Sequence, residues 1–142
     1  MSNPGPASST QNHPQGVTTN QALRLIASAQ SVNLNSVADT VAKIVNASGY
    51  VSVASIIVSN ASINLDTAQL AVYTAPAAGG TAVKSAYALS GNSSSAKVVV
   101  TAATSTDLVT GSNLYIRCTT AQGAAATADV FIYGYDLSFL QG

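Results

Sequence analysis

The chain has 142 residues, a formal net charge of zero and a charged fraction of only 7%, whereas charged residues make up about 25% of typical soluble domains. It has no Glu or Trp and a single His, so it offers few of the side chains on which catalysis usually draws. Its five Lys and Arg residues are spread along the chain, whereas a nucleic-acid-binding face needs them clustered. The composition therefore favours a structural or interaction protein over an enzyme or a nucleic-acid-binding protein.

The length and the low charge also bear on domain number and assembly. A chain of 142 residues fits one domain that needs neither disulfides nor metal for its core. Charge gives this surface little help with solubility, so we expect partners in an assembly to cover much of it. The longest apolar run, around Val51 to Val58, is too short to span a membrane, and no secretory signal is visible. The single Cys118 excludes an intramolecular disulfide and fits synthesis in a reducing cytosol.

The first 20 residues differ in composition from the rest. Pro and Gly stand among Ser, Thr, Asn and Gln, and Val17 is the one strongly apolar residue after Met1. Such a segment cannot bury enough surface to offset its ordering entropy by itself. We therefore expect residues 1–20 to form an arm that is either flexible or ordered by a partner, and residues 21–142 to form a single domain. The candidate partner contacts in the arm are Pro4, Pro6, His13 and Val17.

From about Leu23 onward, apolar residues recur with a period of two, and β-branched and aromatic residues dominate, as strands prefer. Two Ala-rich segments are ambiguous, and the second also fits helical spacing; we interpret both as strands. In chain order, the predicted strands lie around residues 21–29, 40–45, 50–58, 70–74, 81–89, 97–101, 114–118 and 130–135.

Between the predicted strands lie clusters of Gly, Asn, Ser and Pro, which are typical of turns. Gly79-Gly80 lacks the Lys and the following helix of a phosphate-binding loop, so a hairpin turn is the better interpretation. About eight short strands with this spacing predict an all-β protein, a β-sandwich or jelly roll with an extended N-terminal arm.

The sequence gives little support for a catalytic site or a metal site. A Ser–His–Asp triad needs a His fixed by packing, and His13 lies in the arm. The five Asp residues all fall near predicted strand ends or turns, where Asp normally bonds the local backbone, so we expect no catalytic carboxylate pair. Cys118 and His13 are too isolated for a zinc site. Calcium bound by Asp66 or Asp136 with loop carbonyls stays open, although no EF-hand spacing is present. We expect no catalytic residues, metal or cofactor.

Aromatic residues on the last two predicted strands form the best candidate site. Alternation places Phe131, Tyr133 and Tyr135 on one face of their strand, and Tyr115 lies on the strand before it. Three interpretations stay open. The rings could cap the core with their hydroxyls reaching solvent, they could form a protein interface, where Tyr is enriched, or they could stack on sugars as in a lectin.

Four stretches taken together resemble small virion proteins of tailed bacteriophages, of the capsid cement or decoration type. The resemblance lies in the residue make-up of these stretches and in their order along the chain. It extends from about Val32 to Leu137 and includes no diagnostic motif. The stretches are Val32–Thr40, Leu70–Val83, Asn113–Arg117 and Ala121–Gly134.

The resemblance implies a β-sandwich or jelly-roll subunit on the outer surface of a phage head, made in the host cytoplasm. Such a subunit bridges neighbouring major capsid proteins against the pressure of the packaged DNA, and it carries no catalytic residues. We expect a homo-oligomer, either a dimer or a trimer, that binds the major capsid protein. The alternatives are a phage tail or fibre module that binds host glycans and, less favoured, a cellular adhesin or pilin-like subunit, against which the missing signal peptide counts.

Overall fold

The computed structural model describes residues 23–45, 50–102 and 108–137. None of these residues lies in a helix, and therefore no helix among them is long and apolar enough to cross a membrane. The prediction of an all-β domain is confirmed. The predicted arm, with Pro4, Pro6, His13 and Val17, lies outside the described residues. The strands are β1 (Arg24–Asn33), β2 (Asp39–Lys43), β3 (Tyr50–Ser59), β4 (Gln69–Ala75), β5 (Gly79–Ala88), β6 (Val98–Thr101), β7 (Val109–Thr110), β8 (Asn113–Thr120) and β9 (Thr127–Asp136).

The nine strands form two antiparallel sheets of a β-sandwich. Sheet A has the order β1-β9-β3-β6, and the two-residue β7 also pairs with β3. Sheet B has the order β2-β8-β4-β5. Each of the eight predicted segments corresponds to one strand, including both Ala-rich segments, which are β1 and β5. The prediction missed only β7.

One core lies between the sheets, and strict alternation in β8 and β9 supplies part of it. In β8, Leu114, Ile116 and Cys118 are fully buried, and the residues between them are half-buried on the outer face. In β9, Val130 and Ile132 point inward in the same way. The buried residues of both sheets form a single apolar cluster, as expected when two sheets pack face to face.

Irregular pairing bends the strands at several places. The register of β1 against β9 shifts between Leu25 and Ala27, so that Ile26 and Ala27 are both buried. Ala27 also bridges to Ile44, just after β2, and the Val45 N–H donates to the carbonyl of Ile26 at 2.8 Å. These contacts join the two sheets along the β1–β2 side of the sandwich. A bulge of this kind commonly turns a strand toward a second sheet.

Four loops meet and interlock at one end of the sandwich. They connect β1 to β2, β3 to β4, β5 to β6 and β8 to β9, and they exchange backbone hydrogen bonds such as Leu34 N–H to Ala126 O and Leu65 N–H to Asn92 O, both 2.9 Å. The side-chain oxygen of Gln122 accepts the backbone N–H groups of residues 66–68 at 3.0–3.4 Å. This end therefore has a fixed shape that the sheets position.

Candidate contact surfaces

The aromatic residues of β9 lie on the outer face of sheet A. Phe131 and Tyr133 are half-buried and Tyr135 is 39% exposed, while the residues between them point into the core. The prediction that these three side chains share a face is confirmed. They lie on the outside of sheet A and not between the two sheets, and all three interpretations of the aromatic face stay open.

Register places the aromatic residues in rows that run across sheet A. Phe131 lies between Ser28 of β1 and Ile57 of β3, and Ile57 in turn pairs with Val99 of β6. Because directly opposed residues of antiparallel strands project to the same face, this row is apolar on three of its four strands. A second row is formed by Leu25, Tyr133, Ser55 and Thr101.

Tyr115 does not belong with the β9 aromatic residues, because β8 lies in the other sheet. It pairs with Val41 on β2 and with Tyr73 on β4, so a separate row crosses the outer face of sheet B. The sequence analysis grouped Tyr115 with the β9 residues because it lies on the preceding strand, but consecutive strands are not always neighbours in a sheet. In this sandwich the chain changes sheets between β8 and β9, and the two groups lie on opposite faces.

Charged groups also distinguish the two faces. On sheet B, the Arg117 guanidinium lies 2.9 Å from the Asp39 carboxylate, which also accepts the Ala77 N–H at 2.6 Å. Burial raises the pKa of Asp39, but the Ala77 N–H and Arg117 together outweigh burial and hold it below its usual value. Lys43 is exposed on the same strand as Asp39. Sheet B therefore presents charge on its outer face.

On the outer face of sheet A, the charged side chain of the central strands is Asp129, at the loop end. Its two oxygens accept the Ser31 N–H at 2.8 Å and the Asn60 side-chain amide at 3.0 Å. Ser31 and Asn60 both have φ near +55°, a region that non-glycine residues seldom adopt. Asp129 thus fixes two left-handed turns across three strands. Its partners are distant in sequence, whereas we had expected Asp residues to bond the local backbone.

The described residues offer little material for chemistry. No three of their His, Cys, Asp or Glu side chains come together as a metal-binding group. Asp66 bonds the Gln122 amide, which lowers the pKa of its carboxyl, and the buried Asp136 forms an ion pair with Arg24 at 3.8 Å. Cys118 is fully buried, and burial raises the pKa of its thiol. Each of these groups already has a structural partner or a buried position.

A polar groove of about 350 Å³ opens at the loop end, beside Asp129. Five of its six lining residues are polar, and none is aromatic. The lining residues are Ser59, Asn60, Ser94, Ser95, Ala96 and Lys97.

Sequence reasoning missed the aliphatic members of both faces. Val99 and Val41 are 54% and 53% exposed, each on the outer face of an edge strand. The only signal available was alternation within short Val-rich runs, and in the three consecutive Val residues of β6 alternation cannot show which side chain points outward. A comparison of the chain with known protein families, curated proteins and solved structures finds no match.

Proposed function

We propose that this chain is a structural virion protein, a capsid decoration or cement protein. In this role it binds the outside of a tailed-phage head as a homo-oligomer, bridges neighbouring major capsid protein subunits and stabilises the capsid. It acts without catalysis. The observation that carries the proposal is a sandwich with one interlocked loop end and with rows of apolar and aromatic side chains on both outer faces.

The strand order supports the finer proposal of a jelly roll. The chain changes sheets at every connection except the β4–β5 hairpin and the step from β6 to the short β7. With β6 and β7 counted as one strand, this gives eight strands in two four-stranded sheets. Eight strands in two sheets, joined by two Greek keys, are what defines the jelly roll of viral capsid and lectin domains, among others, and this agreement supports the proposal. A likeness of fold does not establish function, so the proposal depends mainly on the contact surfaces.

A cement protein must bind strongly at many equivalent positions of the capsid through non-covalent contacts. Apolar area removed from water contributes about 25 cal/mol per Å², and half-exposed Val and aromatic side chains supply such area on both faces. A subunit with two adhesive faces can contact two neighbours at once. The expected arm, residues 1–20, would extend that reach at the cost of being ordered on assembly.

The test is cosedimentation of the purified protein with empty phage heads stripped of it. We expect saturable binding at a fixed ratio to the major capsid protein, and heads that survive heating better when it is bound. A variant lacking residues 2–20 should stay folded and bind more weakly. Absence of head binding by the full-length protein would contradict the cement role, and aggregation of the shortened chain would contradict the assignment of residues 2–20 as an arm.

A second candidate function is glycan binding by a phage tail or fibre module. The observation that favours it is the outward position of Phe131, Tyr133 and Tyr135, since exposed rings can stack on sugars. Tyr133→Ala should abolish binding on a glycan array if this function is correct. If the cement role is correct, neither the wild-type protein nor Tyr133→Ala should bind to the glycan array.

A further inference from the structure

We propose that the outer face of sheet A pairs with the same face of a second copy, giving a two-fold symmetric dimer. This inference deepens the homo-oligomer part of the proposed function and rests on it. The face in question, here called the sheet A face, consists of two rows. They are Ser28–Phe131–Ile57–Val99 and Leu25–Tyr133–Ser55–Thr101.

Charge selects this face over the other. In a two-fold dimer the same patch of both subunits meets itself, so a charged patch meets like charge or loses its hydration. The two rows of the sheet A face contain no charged residue. Pairing of the sheet B face would instead desolvate the Asp39–Arg117 pair and Lys43, and burying such groups costs several kcal/mol per ion.

The charged residues at the margin of the sheet A face are also compatible with self-pairing. Asp129 has both carboxylate oxygens bound within its own subunit, so it needs no further partner. Lys97, which immediately precedes β6, lines the groove at the same end and is exposed. These two residues are opposite in sign, and a two-fold axis does not force a net repulsion between copies.

Composition and size fit an interface of this kind. Tyr and Phe are enriched at protein interfaces, and their polar or edge atoms tolerate a partly wet rim. Three ten-residue strands about 33 Å long and about 4.8 Å apart, together with the four-residue β6, give the whole outer face of sheet A a projected area of roughly 500 Å² before side-chain relief is counted. The two rows of the sheet A face cover about half of that area. A standard interface buries about 800 Å² per partner, so the two rows would form the centre of an interface whose rim is the rest of this outer face.

The test is sedimentation equilibrium of the full chain and of two matched variants over a wide concentration range. Val99→Lys places an ammonium on the sheet A face, and Val41→Lys places one at an equally exposed position on the sheet B face, the two valines being 54% and 53% exposed. We expect a wild-type dimer whose dissociation constant rises roughly tenfold or more in V99K and changes less than about twofold in V41K. Thr101→Lys, on the same strand and face, replaces V99K if that variant does not fold.

Three results would overturn the dimer: a wild-type monomer at every concentration, a trimer, or dissociation caused by V41K and not by V99K. Head binding is measured separately, so the two proposals fail independently. A dimer that forms but does not bind stripped heads contradicts the cement role alone. A monomer that binds heads contradicts the homo-oligomer, and with it the sheet A dimer, but leaves the cement role intact.

Discussion

Gly134 lies where β9 passes against the backbone of β3. A Cβ at this position would collide with the carbonyl group of Ser52 and with the Cα of Val53. Both obstacles are backbone atoms, which no rotamer change can move. Gly134 is therefore a steric requirement of the β3–β9 pairing, next to the point where the register of β3 shifts between Val53 and Ser55.

Gly134→Ala should lower the free energy of unfolding by about 3 kcal/mol or more, because the strands must separate locally to admit a methyl group. Gly123→Ala is the matched control. Gly123 has φ +84° and nothing within 4 Å of an added Cβ, so the control should cost about 1–2 kcal/mol from backbone conformation alone. Urea unfolding measures both. Equal losses in the two variants would show that the Ser52 contact is not limiting.

At Tyr87 the destabilising feature is a buried polar group and not a steric contact. Its ring is 9% exposed, and no described residue accepts or donates a hydrogen bond at its buried hydroxyl. Burial alone raises the pKa of this phenol. Tyr87→Phe removes the unsatisfied group and should leave stability unchanged or raise it by about 1 kcal/mol.

The matched control for Tyr87 is Tyr115→Phe on the outer face of sheet B, where we expect a change within about 0.5 kcal/mol. Thermal unfolding of the two variants gives the comparison. A loss above about 1 kcal/mol in Tyr87→Phe, with Tyr115→Phe unchanged, would mean that the Tyr87 hydroxyl has a partner and would contradict the prediction.

Asp39 links stability to pH. Its pKa is lower in the folded protein than in the unfolded chain, because the Ala77 N–H and Arg117 outweigh burial. The carboxylate therefore adds stability above its unfolded pKa of about 4, and that stability is lost as pH falls through the lower folded value. We expect Asp39→Asn to be about 1–2 kcal/mol less stable than wild type at pH 7. The difference should shrink toward pH 3 in denaturant titrations, and parallel pH curves for the two proteins would contradict this.

At the level of elements, the β4–β5 hairpin carries backbone strain at its turn. Ala77 and Ala78 have φ of +56° and +61°, and the Gly79 N–H donates to the Pro76 carbonyl at 3.0 Å. Two consecutive positive φ values define a type I′ turn, which favours Asn-Gly. Ala in this region costs about 1–2 kcal/mol per residue relative to an unstrained conformation. The hydrogen bond from Ala77 to Asp39 helps to hold the turn in place.

Replacing Ala77-Ala78 with Asn-Gly should therefore stabilise the protein by about 1 kcal/mol, even though glycine adds entropy to the unfolded chain. Ala124→Gly isolates that entropy term. Ala124 is exposed and is absent from the left-handed residues of the described chain, so the same kind of change there should only destabilise, by up to about 1 kcal/mol. Melting temperatures of the two variants should move in opposite directions. A fall in both would mean that the Ala-Ala turn is not strained.

The same hairpin shows how far sequence reasoning reaches. Gly79-Gly80 predicted a hairpin turn between two alternating runs. The hairpin is present, but its turn lies just before, at residues 76–78, and both glycines belong to β5. Nothing in Ala77-Ala78 indicated positive φ, since that conformation depends on Asp39, 38 residues earlier in the chain. Bulges escaped prediction for the same reason. A register shift such as that between Leu70 and Val72 in β4 depends on which strand pairs with β4. Alternation within one strand does not indicate which strand it pairs with.

For the whole molecule, strand pairing decides what the candidate sites are. The sequence predicted which residues of β8 and β9 alternate, but not that β8 and β9 lie in different sheets. Sheet order depends on long-range contacts between strands that are far apart in the chain, and single-strand patterns carry little of that information. This is why Phe131, Tyr133 and Tyr135 were correctly placed together while Tyr115 was not. It is also why the row from Phe131 through Ile57 to Val99 became visible only in the fold.

The sandwich has one core that both sheets share, so we expect it to open as a unit, and Cys118 can report that opening. The side chain is fully buried within this core, and its thiol lies 3.4 Å from the Thr120 carbonyl. A thiol reagent can reach it only after the sheets separate, because its side chain points into the core between them. Reaction in the native state should therefore be slow, with an opening free energy equal to the global unfolding free energy. A Cys introduced at Val41, with Cys118 replaced by Ala, should react at the rate of a free thiol, since that position is 53% exposed and lies outside the proposed sheet A interface. Labelling rates give the opening free energy at Cys118, and urea unfolding gives the global value. An opening free energy several kcal/mol below the global value would mean that sheet B opens by itself. The core would then not be one cooperative unit.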